Sequence, residues 1–481
     1  MSTEKAAGTP SEDTMQVLVV GGGLSGLTCA REILARGKKT TVTVLEASDR
    51  VGGRTLSEHV SGVRVDLGGQ WVAPKVQQPR MHLLCARLRL KLHAQHFRGK
   101  RILDLRGVVH TYATDIPTAL SVLALLTLQM LLWRIKWLAT ITVGRLAPEK
   151  RPELDRTTVA VEAQRLAGRW DDVLDLITAM VRGVFGCEPK DLSWLHLLHY
   201  CACAGGVERL VKVNRGFQEN TIVGGSQQVS EALADEVRSL GGRIEMRARV
   251  TCIDTSSPGA VCIRGEDGRE WYAQRVVLAT PPSNLKGIQF EPTLPASRVA
   301  LNRSAFMGCI IKSIAVYPTA FWRRDGFSGE VVADTAVGPV FNCYDHTVEM
   351  EGPGGEVVQH CMLVCFINGD AAREWSRRTC EERREAVVSQ LVRWFGEEAK
   401  VPTMFVEKDW VADPFTGGCP INSYPCAVLG PHGAALREPC DRVHWAGTET
   451  ATFCQGFMEG AVQAGERAAV EVLLSLNNQR I

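Results

Sequence analysis

The chain is 481 residues long and 45% hydrophobic, enough to bury a large core and more than one ordinary domain usually holds. Its 55 Lys and Arg balance 53 Asp and Glu, so nothing in the overall charge suggests attraction to nucleic acid or acidic lipid, and a small-molecule partner is expected. Sixteen cysteines lie without the spacing of a disulfide framework, so they are expected to be mostly free and buried in a reducing compartment.

The first fifteen residues, MSTEKAAGTPSEDTM, are polar and mixed in charge, with no basic region followed by an apolar one, and read as a short leader rather than a signal peptide. The run QVLVV (Gln16 to Val20) predicts a strand buried on both faces of a parallel sheet. GGGLSGLTCAREILARG follows, with Leu24, Leu27, Ile33 and Leu34 at helical spacing and Gly37 closing the helix. TVTVLEA (Thr41 to Ala47) completes a βαβ unit.

Residues 81–220 read as mainly helical. Within them Ile116 to Trp133 is almost wholly apolar and about long enough to span a bilayer. Pro117, Ser121, Thr127 and Gln129 interrupt it, and Arg134 and Lys136 follow. A buried or surface-lying helix is expected, because a lone span would split the domain around it. Further strands are expected at Arg275 to Thr280, Cys309 to Val316, Val358 to Ile367 and Arg442 to Gly447. No apolar tail follows Gly465, so a soluble, cytoplasmic protein is expected. The pattern predicts an α/β nucleotide-binding domain in three pieces, 15–91, 223–300 and 413–475, with a substrate domain inserted as a helical part, 92–222, and a second part, 301–412.

Gly21, Gly23 and Gly26 form G-x-G-x-x-G between the first strand and its helix, and Glu46 ends the second strand about 20 residues on. The glycines permit a tight turn and close backbone approach, the helix N-terminus attracts a pyrophosphate, and the carboxylate accepts hydrogen bonds from a ribose. This serves NAD and FAD alike. Gly52, Gly53 and Arg54 then add flexible backbone and a fixed cation, as a longer phosphate-binding region needs, the plain alternative being a surface turn with a solvated arginine. His196, His199, Cys201 and Cys203 have metal-ligand chemistry, but their spacing fits no zinc pattern, and helix packing is the preferred reading.

Taken together, VLVVGGGLSGL, EASDRVGGRT, DLGGQWV, IVGGSQQVSEAL, LATPP and WAGTETATFCQGFMEGAVQAGERAA resemble the flavin-containing amine oxidase family, in order from about Gln16 to Leu474. The resemblance implies a Rossmann-like FAD-binding domain with an inserted α+β substrate-binding domain, and oxidation of a primary or secondary amine to an imine and aldehyde, with O2 reduced to H2O2. It implies that Ser25 and Arg54 meet the pyrophosphate and Glu46 the adenosine ribose. Val250 would lie near the adenine, and Gly69, Gln70, Trp71 and Trp410 beside the cofactor. Glu449, Gly456, Phe457 and Met458 match the stretch under the flavin.

Cys419, in FTGGCPINSYP, matches the thiol that joins the flavin as a thioether in monoamine oxidases, through an exposed thiolate. Pro420 stands where those enzymes have a tyrosine, so only Phe457 of the aromatic pair that guides the amine is present. Lys312 matches a lysine held near flavin N5 through a water, and after three apolar positions it is expected to point inward. Gln218 matches a cavity-lining amide, and Leu210 with Val211 a gate. Several alternatives stay open: a polyamine oxidase; an L-amino-acid oxidase, which needs a cavity arginine that no matched motif supplies; relatives that dehydrogenate carbon-carbon bonds, which do not explain Cys419 and Lys312 together; and a flavin-binding scaffold without turnover. A homodimer is also left open.

Overall fold

The strand Met15–Val20 lies at the centre of a five-stranded parallel sheet, with Thr40–Leu45 and then Arg243–Glu245 on one side, Arg275–Leu278 and then Val443–Trp445 on the other. It is seen in a computed structural model that describes residues 15–60, 62–114, 120–143, 151–168, 170–210, 212–351 and 357–477. Alternate residues of these strands serve two cores, because successive side chains point to opposite faces. Val17, Val19, Val42 and Val44 pack on Cys29 and Ile33 of the helix Leu24–Arg36 and on Ala468, Ala469 and Val472 of the helix Met458–Asn477. Leu18, Val20, Leu45 and Trp445 pack on Ile253 and Ile263 of a four-stranded sheet. The two helices approach closely where a Cβ on Gly465 would lie 2.4 Å from the Ser25 carbonyl oxygen.

A second, mostly antiparallel sheet of eight strands carries the other half of the molecule. Its order runs Met404–Asp409, Ile310–Tyr317, Val357–Asn368, Val340–Asp345, Phe327–Ala333, Lys100–Leu105, Val108–Tyr112, with Val348–Glu351 paired on Val357–Asn368. Four helices, Val122–Trp137, Val159–Ala167, Asp171–Phe185 and Trp194–Cys203, share one apolar core around Leu131, Ile135, Val181, Phe185 and Leu198.

The expected strands occur within a residue or two of their positions in the sequence, but residues 81–220 are not uniformly helical. Leu92–Ala94, Lys100–Leu105 and Val108–Tyr112 are strands, the last two joined by a two-residue turn in which Arg106 and Gly107 both have positive φ. Such a turn matches the twist of a hairpin. Of the apolar run Ile116 to Trp133, residues 116–119 lie outside those described. The rest forms a helix capped by Ser121, whose hydroxyl accepts from the Ala124 amide. Ala124, Leu131 and Ile135 face the core, while Val122, Leu126, Met130, Trp133 and Trp137 are exposed. Val122–Thr140 is long and apolar enough to cross a membrane by length and composition, and its inner face is packed on the neighbouring helices.

Candidate cofactor groove and amine chamber

One cavity of about 1520 Å³ runs from the glycine turn to the helix Val122–Trp137. At its first end each glycine answers a different demand. Gly21 has φ +107° and donates its amide to the Leu45 carbonyl at 2.8 Å. A Cβ on Gly26 would fall 2.0 Å from the Gly21 oxygen, so any side chain there pushes helix and strand apart. Gly23 has only the Gly52 oxygen at 3.9 Å beyond its Cβ direction and lines the cavity, which is where a pyrophosphate needs bare backbone. The Glu46 carboxylate is fixed at the rim by the amide of Gly22 at 2.7 Å and by the amide and hydroxyl of Ser48, each at 2.8 Å. Ser25 Oγ accepts from the Gly447 amide at 2.9 Å, leaving its proton free to be donated into the groove. Thr280 Oγ1, also on the wall, is buried without a partner. Val250 lines the same end. An extended dinucleotide fits this set: an anchored carboxylate, a helix N-terminus, bare backbone and an unsatisfied hydroxyl.

Arg54 departs from a simple phosphate cation. Its Nη1 and Nη2 donate to the two oxygens of Glu449 at 2.7 and 3.1 Å, and Nη1 also donates to the Pro420 carbonyl at 2.8 Å. Glu449 is fully buried, and Arg54 lines the cavity while Glu449 does not. The carboxylate therefore works by clamping the guanidinium; two of the five N–H groups remain outside these bonds.

Midway along the cavity the wall is built by Gly69, Gln70, Trp71, Trp410, Lys312, Cys419 and residues Gly456 to Met458. Trp410 is held by a bond from its indole nitrogen to the Leu67 carbonyl at 2.9 Å, and Trp71 packs edge-on against Tyr344. Lys312 points inward as expected and is 2% exposed. Its Nζ donates to the Gly68 carbonyl at 2.9 Å and to Gln70 Oε1. Burial pulls its pKa down to about 8, against the opposing pull of Asp66 and Cys419. Asp66 is also buried, which raises its pKa, while Lys312, Ser57 and Ser226 lower it. Cys419 is half-exposed on the cavity wall, and desolvation by its protein surroundings pushes the thiol well up, outweighing Arg54 and Lys312.

Phe457 does not stand alone where the sequence seemed to leave half an aromatic pair. Phe217 lies 4.1 Å and Tyr200 5.8 Å from it between ring centroids, and all three line the cavity. Neither was evident from the sequence; the signal for Tyr200 lay in the HLLHYCAC helix, among residues with metal-ligand chemistry. Gly456 makes room for this ring, since a Cβ there would meet Tyr200 Oη at 2.7 Å. His196 Nδ1 accepts from the Tyr424 amide, and His199 Nε2 lies 3.6 Å from Cys203 Sγ, so these residues pack and bond within the fold.

Beyond Phe457 the cavity becomes an apolar chamber walled by Ile177, Met180, Leu210, Phe217, Tyr344 and Phe366. Gln218 lines it, with Nε2 donating to the Leu210 carbonyl at 3.0 Å and Oε1 left without a partner. Val211 lies outside the described residues. Asn368 Oδ1 is a second buried acceptor without a partner on the wall, because Glu188 rather than Asn368 receives the Asp370 amide. One arginine absent from the matched motifs does reach the far wall: Arg101, whose Nε meets Glu330 at 2.8 Å. Its charge is thereby neutralised.

The sequence model of a family described as flavin containing amine oxidoreductase matches residues 24–473. A flavin-containing amine oxidase of Oncorhynchus mykiss is 34% identical over 473 residues, covering 97% of this chain and 87% of that protein. Flavin-containing amine oxidase B of Homo sapiens is 33% identical over 467 residues, 95% of this chain and 86% of that one. Among solved structures, cyclohexylamine oxidase from Brevibacterium oxydans IH-35A superposes with a TM-score of 0.86 at 30% identity, covering 96% of this chain and all of that one.

Proposed function

The chain belongs to the flavin-containing amine oxidoreductase family, and from that premise we propose how its own residues divide the work of amine oxidation. It is an FAD-dependent oxidoreductase acting on small-molecule amines, with dioxygen as electron acceptor. FAD, when bound, takes two electrons from the CH–NH unit and passes them to dioxygen, giving an imine that water converts to an aldehyde, and H2O2.

The glycine turn, Ser25 and Glu46 hold the dinucleotide, and the clamped Arg54 offers its two remaining N–H donors in a fixed direction. The aromatic faces of Phe457, Phe217 and Tyr200 steer the amine, and the apolar walls exclude water from it. An amine enters mainly as an ammonium and must lose a proton before its α-hydrogen can leave as a hydride. Lys312 is the group placed to take that proton, since a pKa lowered to about 8 gives it a neutral fraction of about a tenth at pH 7, rising through pH 8, where an ordinary lysine stays charged.

The observation that carries the substrate reading is the charge state of the chamber. A polyamine needs a free carboxylate for its second ammonium, but Glu330 is bound to Arg101 and Glu208 to Lys136. An amino acid needs a free guanidinium, and Arg101 is occupied. An apolar monoamine fits the walls. Anaerobic titration of the yellow protein with alkyl and arylalkyl amines, diamines and amino acids should bleach the flavin with the monoamines foremost. A protein bleached by none of them is a flavin scaffold, and the reading fails.

A further inference from the structure

Gln70 ties Lys312 to a histidine with no part in the site described so far. His346, just beyond the strand Val340–Asp345, is buried, and its Nδ1 lies 3.4 Å from Gln70 Nε2. Counting donors fixes the order of contacts. Lys312 donates to the Gly68 and Gln70 oxygens, so Gln70 must present Oε1 to it. That leaves the amide nitrogen facing His346, and an amide nitrogen only donates. Nδ1 must therefore accept, which makes His346 a neutral imidazole with its proton on Nε2. Burial and the nearby Lys312 and His93 hold its pKa down at about 3, against the pull of Asp345, so this form persists at working pH. Asp345 is itself bound by Arg323 and by the indole of Trp322.

We propose that Gln70 and His346 are positioning residues that aim the free valence of Lys312 into the amine chamber. The idea rests on the proton-accepting role given to Lys312 above. A neutral amine nitrogen has two hydrogens and one lone pair. With both hydrogens bound to the Gly68 and Gln70 oxygens, the lone pair is left the one remaining tetrahedral direction, and the side chain lines the cavity. If Gln70 turned over, its NH2 would oppose the lysine hydrogens, and Nζ would swing to find another acceptor. His346 prevents this by accepting from the amide nitrogen. The other groups facing Lys312 do not supply the same restraint. Asp66 and Cys419 act on its charge, Lys408 lies across the strand pair bound to Asp413 at 2.8 Å, and the Phe366 ring centroid is 5.6 Å away.

The test uses FAD-loaded protein carrying lysine labelled at the ε carbon, with the Lys312 signal assigned by its loss in Lys312→Met. Titration without any amine reads the midpoint of Lys312 directly, so the result does not depend on turnover. His346→Leu removes the acceptor and should lower the midpoint by about one pH unit, because an ammonium that loses an oriented carbonyl is less stabilised. His346→Asn places an amide oxygen near the position of Nδ1 and should restore it. Gln70→Glu keeps an acceptor and adds a negative charge, so the midpoint should rise. In amine oxidation His346→Leu should slow anaerobic flavin reduction about tenfold with KM changed less than about twofold, and Asn should recover most of the loss. Leu and Asn variants behaving alike, or a midpoint that moves in none of the three, would overturn the proposal. Should the Leu variant fail to fold, Gln70→Glu, expected to raise the midpoint, and His346→Asn, expected to leave it near that of the wild type, still decide it: a Glu variant with an unchanged midpoint removes Gln70 from the role, and an Asn variant with a shifted one removes His346. A wild type that bleaches with no amine yet shows these shifts would sink the oxidase reading and leave the geometry standing.

Discussion

Lys312 makes a sign prediction at the scale of a single residue. Its pKa is lowered, so the neutral form gains with rising pH, and anaerobic flavin reduction at saturating amine should increase through about pH 8. Lys312→Met should abolish that limb and leave any limb that belongs to the substrate's own ammonium. Cys419 gives a second test. We expect the flavin to stay on the chain after acid precipitation and Cys419→Ala to release it, with non-covalent FAD binding preserved by Glu46, Ser25 and Arg54. Burial opposes ionisation of this thiol, while Arg54 and Lys312 favour it. Flavin freed quantitatively from the wild type by acid would rule out the link and leave amine oxidation possible without it. Lys312, the glycines and Glu46 were legible in the sequence because their demands are local: an inward strand position, a tight turn, a strand end. Asp66, Tyr200, Phe217 and His346 were not, because each acts through a partner far away in the chain that no local pattern announces.

At the scale of elements, the helix Leu24–Arg36 depends on small residues on two sides. Gly26 meets the Gly21 oxygen and Gly465 meets the Ser25 oxygen. Gly26→Leu should remove FAD from the purified protein and cost about 1–3 kcal/mol by overpacking, read as a lower urea midpoint. By contrast, Trp133→Lys on the exposed face of the helix Val122–Trp137 should change stability by no more than about 0.5 kcal/mol and leave flavin content intact. The boundaries of buried strands could be read from β-branched runs, since those strands pack on both faces. The Lys100–Leu105 and Val108–Tyr112 hairpin could not, because its turn is Arg-Gly rather than one of the usual strong turn pairs, and long apolar helices follow it.

The whole molecule couples cofactor to stability, since the groove draws on the turn at Gly21, the strand end at Glu46, Arg54, Trp410 and the segment Gly447 to Met458. In Cys419→Ala, where FAD exchanges, FAD held at 100 times its Kd should stabilise the folded state by about 2.7 kcal/mol, and Tm should climb with added FAD in proportion to the logarithm of its concentration. The α/β architecture was legible as a whole from one βαβ unit and two distant strand-like runs. Which faces of the eight-stranded sheet meet which helices was not, because it is set by pairings between segments hundreds of residues apart.

That wide separation of neighbours also sets a timetable for the protein's manufacture. Met15–Val20 leaves the ribosome long before one of its two flanking strands, Arg275–Leu278, and the sheet is completed only by Val443–Trp445. The two parallel strands and their helix must wait about 200 residues of synthesis with both outer edges uncovered, and long-range pairing of this kind is slow to form. The helix Met458–Asn477, which covers the first helix, arrives later than any of these strands. A complete flavin groove therefore awaits the segment Gly447 to Met458, and a nascent chain stalled before residue 443 leaves the apolar edge of Arg275–Leu278 uncovered.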